Sequence, residues 1–489
     1  MLSRATPESV GISSRQIQKY LELREKNRIT THDLLIARGD KIVFETYRAP
    51  FHKDYLHRMY SVTKSFIAIA NGILEQEGKL YLDDKLVDFF PEESKNVTDP
   101  YMKAQTIRHM LIMSTAKRSF KWFGGGPDRV QTYFDNPNLE SRPSGTIWEY
   151  DSSGSFVLGA IVERITGKLV LDYLREKFLD KIGFSKEAYL LKCPGGHSWG
   201  DSALICRPSD LLKVGRFLLD GGRYQGEQIL NERFVREATS VQIDNNTNNT
   251  YGYVAQGYGY QIWHFFDDSF AFYGMGCQYM VAVPGTDILF VYNGDNQGFD
   301  RAGDIVIENF FDMISRTAGD PLPEDPAAQK ELADYTATLK LSVAPGEKSS
   351  PIAATVSGNT YLMNENPMGI TRMRVDFDGD RGTLSYTNVQ GDKTLPFGLK
   401  ENVFGDFPQE GYSDEIGDTF EPGHYYHCAA SAGWTEPHKL HMKVQIIDKY
   451  FGQLDIILSF AGDSLGVYMC KTAEDFLDEY VGLAGGTKL

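Results

Sequence analysis

The sequence predicts an α/β protein of the α+β kind in two parts: a large domain mixing helices and strands, then an antiparallel, barrel-like β domain. Three observations predict it. The chain has 489 residues and 42% hydrophobic content, too long for one ordinary domain and ample for a large core. Through residue 318, runs of helical periodicity alternate with short apolar strand runs. Beyond Thr317 the composition turns proline-rich (Gly319-Asp320-Pro321-Leu322-Pro323-Glu324-Asp325-Pro326), passes a helical stretch from Lys330 to Leu339 and a second loop at Pro345–Pro351, and becomes strand-like. The expected organisation is a domain over 1–318, a linker over 319–351 and a β-rich domain over 352–489.

The elements follow in order. Ser13-Ser14 offers an N-cap to a helix through Ile17, Tyr20 and Leu21. Leu34–Ala37 and Ile42–Tyr47 flank Arg38-Gly39-Asp40-Lys41, a hairpin whose glycine serves a tight turn rather than an adhesion tripeptide. Phe66, Ile67, Ala70, Ile73 and Leu74 recur at helical spacing and Gly78 closes that run. Residues 118–134 lack periodicity and read as a rim loop over a pocket, with Trp122 as its large side chain; Gly124-Gly125-Gly126 is no phosphate cradle, because neither Lys-Ser nor Lys-Thr follows it. Val157–Val162 is a helix, and Pro208-Ser209-Asp210 starts another. Ala271–Pro284 and Asp287–Tyr292 read as two strands joined at Pro-Gly-Thr. In the last third, Met373–Asp378, Thr383–Tyr386, Leu440–Ile447 and Leu454–Phe460 carry the β pattern.

The chemistry concentrates in three segments. Ser61-Val62-Thr63-Lys64 opens the Phe66–Leu74 helix, so a serine and a lysine one turn apart share a face. A serine hydroxyl is a weak nucleophile until a base takes its proton, and a lysine held dry can be that base. A second Ser-x-x-Lys, Ser114–Lys117, ends an apolar run instead, and its lysine reads as a solvated helix-end charge. The next segment, Pro143–Gly154, puts Tyr150 on a loop two residues before Ser152; a phenol beside an ammonium can relay protons. The third, Phe272-Tyr273-Gly274-Met275-Gly276, has alternate glycines that let a backbone or substrate come close, and such a strand end can turn an N–H toward a developing oxyanion. His197 and Trp199, on the glycine-rich loop Gly195–Gly200, are candidates for lining the pocket. His109 precedes a core-facing run and is not taken as a base.

Composition excludes other classes. A net charge of −16 argues against nucleic acid and against an anionic membrane surface. Five scattered cysteines without C-x-x-C spacing support neither a disulfide framework nor a zinc site, and point to a reducing compartment. No apolar run has the length of a signal core or a membrane span, so a soluble cytoplasmic protein is expected. No cofactor is called for, and His438 and His441 beside Lys439 are not read as a metal site. The expected partner is a small-molecule substrate, with homo-oligomerisation left open.

Taken together, Ser61-x-x-Lys64, Tyr150-x-Ser152 and Phe272-Tyr273-Gly274 resemble the motifs of the serine β-lactamase and penicillin-binding-protein superfamily. The likeness is to its class C β-lactamase-like branch of esterases, D-aminopeptidases and 6-aminohexanoate-dimer hydrolases, and runs from about residue 10 to 315. The resemblance implies a β-lactamase/transpeptidase-like antiparallel sheet flanked by helices, with a helical subdomain. It also implies roles: Ser61 as acylated nucleophile, Lys64 as proton acceptor, Tyr150 as general acid and base, and the amides of Ser61 and Met275 as the oxyanion hole. Ser152, Trp122, His197, Trp199, Tyr273, Gly274 and Gly276 would then surround the substrate. The sequence departs from the pattern twice, with Ser152 where asparagine is usual and Phe272 where a basic residue begins the third motif. Losing that cation weakens recognition of a substrate carboxylate. Ester or amide hydrolysis therefore ranks above β-lactamase or D-aminopeptidase and DD-peptidase activity, and a silent binding or scaffold protein is the rival of another class.

Overall fold

A computed structural model describes residues 2–117, 126–135, 140–247, 250–413, 415–417, 419–474 and 476–489. The chain divides into two compact units: residues 1–340 with 415–418, and residues 341–414 with 419–489.

The first unit is built on strands β1 (Ser3–Arg4), β2 (Asp33–Arg38), β3 (Lys41–Tyr47), β4 (His57–Arg58), β5 (Tyr189–Leu190), β6 (Leu204–Cys206), β7 (Trp263–His264), β8 (Phe270–Gly274), β9 (Gln278–Val283) and β10 (Ile288–Asn293). Its main helices are α1 (Ser14–Lys26), α2 (Thr63–Gln76), α3 (Arg129–Asp135), α4 (Ser152–Thr166), α5 (Pro208–Leu219), α6 (Ala302–Ile314) and α7 (Pro326–Thr338). Seven strands make one sheet in the order β1-β3-β2-β10-β9-β8-β7, and β4, β6 and β5 make a small second one. The large sheet is antiparallel apart from β1, which runs parallel to β3. Consecutive strand residues point to opposite faces. Tyr279, Val281 and Phe290 therefore meet Ile17, Tyr20, Val306 and Phe310 of α1 and α6. Met280 and Leu289, on the other face, press on Gly215 of α5, while Phe272 packs edge-on against Phe66 of α2. The α+β reading holds. The hairpin turn is at Gly39, whose φ of 58° suits glycine, and the stretch 319–351 contains α7.

Helix α2 is buried from Thr63 through Leu74. An apolar helix of that kind belongs in the middle of a core, not on a surface. Its N-terminus is tied to β6 by Thr63, whose hydroxyl donates to Tyr60 O (2.6 Å) and accepts from Leu204 N (2.9 Å). One expectation fails nearby. Lys117, read as solvated, is 2% exposed, and its ammonium reaches the carbonyl of Phe134 at 3.4 Å. The apolar run ahead of it dives into the unit, carrying its end inside.

Just upstream of the Ser61 segment, His57 is fully buried. Its Nδ1–H donates to the carbonyl of Arg58 (2.8 Å), so its Nε2 accepts from His32 Nδ1 (2.9 Å). Burial pushes its pKa down to about 3, against a small opposing effect of the Arg58 carbonyl. A histidine with a depressed folded pKa contributes stability above its unfolded value, near 6.5, and loses it as pH falls toward the folded one. Unfolding free energy should therefore drop by about 1.4 kcal/mol per pH unit from this group alone below pH 6.5. Urea midpoints between pH 7 and 5 check it, with His57→Gln expected to flatten the slope.

The second unit consists of β11 (Thr360–Met363), β12 (Arg372–Asp378), β13 (Arg381–Asn388), β14 (Gly391–Leu399), β15 (Val403–Gly411), β16 (Glu421–Glu436), β17 (Lys439–Ile447), β18 (Phe451–Ala461), β19 (Ser464–Thr472) and β20 (Gly482–Lys488). Their order is β14-β13-β12-β11-β20-β19-β18-β17-β16-β15, and a β14–β16 pairing through Gly398↔Ser431 and Leu399↔Ala432 closes the sheet into a barrel. Alternate residues fill it, among them Tyr361, Phe397, Trp434, Leu458 and Met469. His441 is held by Asp455 at 2.6 Å. Among the described residues no group of three or more His, Cys, Asp or Glu side chains could hold a metal ion.

Candidate active site

Ser61 stands two residues ahead of α2, in tight turns where Thr63 N donates to Tyr60 O (3.0 Å) and Lys64 N to Ser61 O (3.1 Å). The turns start at Tyr60, whose φ of 46° is uncommon for a bulky residue and bends the chain off β4 into the helix. Lys64 occupies the first turn of α2, so the spacing of three works although Ser61 itself precedes the helix. Lys64 Nζ lies 2.8 Å from Ser61 Oγ and 2.8 Å from the main-chain carbonyl of Asp201, and the residue is 2% exposed.

Tyr150 comes to the same place from another segment. Its ring faces Lys64, 5.0 Å from Nζ to the centroid, and stacks on Trp263 at 5.7 Å. The next residue, Asp151, fixes it there. That buried carboxylate caps α4 through Ser153 N (3.0 Å), accepts from the Ser153 hydroxyl (2.5 Å) and from Thr115 Oγ1 (3.3 Å), and burial still pushes its pKa up. Ser152, half-buried, opens α4. Gln261 ties α4 to α2: its Oε1 accepts from Ser155 Oγ (2.5 Å) and its carbonyl from Ser65 Oγ (2.7 Å).

The end of β8 closes the third side. A methyl on Gly274 would fall 2.3 Å from the Met59 carbonyl oxygen and 3.2 Å from the Ser61 amide nitrogen. The strand end is therefore in backbone contact with the Ser61 turn, one peptide from the amide of Met275. The turn is held by Gln278, whose Nε2 donates to the carbonyls of Met275 (2.7 Å) and Gly294 (2.8 Å), while Gly276 and Cys277 carry φ of 78° and 76°. Tyr273 stacks on Tyr279 at 4.9 Å and meets Trp263 edge-on at 5.8 Å. Phe272 is fully buried.

Ser61, Lys64, Tyr150, Tyr273, Gly274 and Met275 are thus linked through direct contacts or one shared neighbour. His197 is held against α4, while Trp199 stands on the loop that leads to Asp201. His197 is bound by Glu163 on the later turns of α4 (2.6 Å), an interaction that raises its pKa, and Trp199 is a buried indole over which Arg58 and Arg129 lie at 5.3 and 4.9 Å. Trp122 lies outside the described residues. Reading the sequence missed Asp201, which has no local signature; its neighbour Gly200 is the one clue. A methyl there would sit 3.0 Å from Ile67 Cδ1, so the glycine lets this loop lie against α2 and bring Asp201 to Lys64.

The site so built was compared with known proteins. The profile of the Beta-lactamase family matches residues 17–309, more than half of the chain. A 6-aminohexanoate-dimer hydrolase of Paenarthrobacter ureafaciens is 26% identical over 219 residues, covering 42% of this chain and 56% of that protein. Esterase EstB of Burkholderia gladioli is 30% identical over 171 residues, covering 30% and 43%. The chain therefore spans only about half the length of these relatives. Among solved structures, one described as a 6-aminohexanoate-dimer hydrolase from Bacillus anthracis superposes with a TM-score of 0.54 at 17% identity, over 66% of this chain and 89% of that one. An octameric penicillin-binding protein homologue from Pyrococcus abyssi gives 0.51 at 16%, over 96% and 99%. At such identities the two superpositions speak for the fold alone. It is the family profile, spanning the Ser61, Tyr150 and Gly274 segments alike, that makes this chain a member of the beta-lactamase family.

Proposed function

We propose that the protein is a serine hydrolase that cleaves a small ester or amide through an acyl-enzyme on Ser61. The observation that carries this reading is the 2.8 Å contact between Lys64 Nζ and Ser61 Oγ in a buried setting. In acylation Lys64, as the neutral amine, takes the proton as the Ser61 O–H bond breaks, and the freed electron pair bonds to the substrate carbonyl carbon while the carbonyl π pair moves to oxygen. The oxyanion settles between the amides of Ser61 and Met275. As the intermediate collapses, the bond from the carbonyl carbon to the leaving group breaks and Tyr150, its ring against Lys64, gives that group a proton replaced from the Lys64 ammonium. Water, giving its proton to the same pair, then attacks the acyl carbon, and Ser61 leaves with a proton.

The choice of ester or amide rests on Phe272. Its buried ring stands where a cation would hold a substrate carboxylate, which disfavours β-lactam and D-alanyl substrates. The relatives named as an esterase and as a 6-aminohexanoate-dimer hydrolase agree with that ranking. A fluorophosphonate probe should add one adduct to the intact mass, located on Ser61 and absent from Ser61→Ala. In a parallel screen, p-nitrophenyl esters or linear amide oligomers should turn over faster than nitrocefin or D-aminoacyl anilides. A folded sample that takes no adduct would favour the silent binding protein, and nitrocefin cleaved as fast as the esters would restore the β-lactamase reading.

A further inference from the structure

Behind Lys64 stands a carboxylate in unusual circumstances. Asp201 is 1% exposed, and neither of its side-chain oxygens accepts a well-formed hydrogen bond among the described residues; the adjacent Ser202 hydroxyl eases its charge without completing one. Burial pushes its pKa up, while Lys64 and then Arg129 pull it down. A buried carboxylate eased only by its own backbone N–H and a neighbouring hydroxyl is a costly thing for a fold to keep. What surrounds it is cationic. Lys64 comes from α2 and Arg129 from α3; Arg58 of β4 donates to the Ser202 carbonyl at 3.1 Å, and both guanidiniums lie over Trp199. All three cations are at most 2% exposed. The other titratable groups of this shell are Tyr150, whose ring covers Lys64, and Cys193, whose sulfur accepts from Arg129 at 3.3 Å.

Building on the assignment of Ser61 as nucleophile and Lys64 as its base, we propose that Asp201 is the positioning residue of Lys64. Its main-chain carbonyl fixes one N–H of the amine, and its side-chain charge supports the ammonium formed when the Ser61 proton arrives. The balance of the step shows the need. As the Ser61 O–H bond breaks and its electron pair moves to the substrate carbon, a new positive charge appears on the buried Nζ, with Arg129 acting on the same carboxylate. Like charges oppose it. Asp201 supplies the opposite charge from the same shell, and the carbonyl contact keeps the amine aimed at Ser61 Oγ before the proton moves.

Asp201→Asn keeps the main-chain carbonyl and removes the charge, so it separates the two contributions. The measurement is the rate of fluorophosphonate labelling of Ser61 against pH, for wild type and variant. Without the anion the ammonium is disfavoured, so the acidic limb should move to lower pH by a unit or more, and the plateau rate should fall about tenfold because the base is weaker. Stability gives a second readout. Removing an anion that offsets buried cations leaves them uncompensated, so the neutral-pH melting temperature should fall, and the labelling profile carries the distinction. Asp201→Ser, with the same loss of charge in a smaller side chain, is the second variant should the first misfold. An acidic limb that stays put in a folded variant would mean a structural role only and overturn the inference. No adduct on wild-type Ser61 would instead overturn the serine reading, and this one with it.

Discussion

Lys64→Ala is expected to slow labelling and turnover at Ser61 by roughly 10²–10⁴-fold, the range for losing a positioned general base. The size follows from the geometry: Nζ is 2.8 Å from Ser61 Oγ and shielded from water, so no solvent base can take its place. Lys64→Arg sharpens the test. It keeps a cation at the end of the helix turn but cannot give up its proton at working pH. If Lys64 acts as the base, arginine loses as much rate as alanine; if it merely supplies charge, arginine restores most of it. A Lys64→Arg enzyme within about tenfold of wild type would exclude the base role. Melting temperatures of both variants report whether the rest of the buried charge cluster stays folded around the change.

Gly274→Ala should cost kcat on the order of 10²–10³-fold, as when an oxyanion donor is lost, with KM little moved. The new methyl would lie 2.3 Å from the Met59 carbonyl, a backbone atom that cannot rotate aside. Either β8 or the Ser61 turn must retreat, and the amides of Ser61 and Met275 then part. Overpacking of this sort destabilises by about 1–3 kcal/mol, so the kinetic comparison belongs well below the melting temperature. Gly285→Ala is the control: a methyl there meets nothing within 4 Å, and both activity and stability should stay near wild type. Equal losses in the two variants would remove the link between Gly274 and chemistry.

What could be read from the sequence divides along physical lines. Ser61 and Lys64 were legible because a spacing of three on a helix entrance is local geometry, and the apolar repeat behind them fixed the helix. The hairpin at Gly39 and the β patterns of the last third were legible for the same reason. Asp201, Gln261 and Trp263 were not. Each acts by meeting residues about 100 to 200 positions away, and no pattern around them announces it. His197, a pocket candidate from its glycine-rich loop, has its ring held by Glu163, a contact its local sequence does not announce. Lys117 misled because helix-end lysines are usually solvated, whereas here tertiary packing encloses its side chain.

The packing of Phe272 against Phe66 has one more implication, for anyone hoping to retrain the enzyme. Specificity for anionic antibiotics would not return by writing one basic letter back into the gene. A cation at that address would arrive inside an aromatic interior with no water to receive it, and transfer of a bare charge into such a place costs several kcal/mol. Directed evolution toward that chemistry would first have to hollow out and rehydrate the aromatic neighbourhood of the helix.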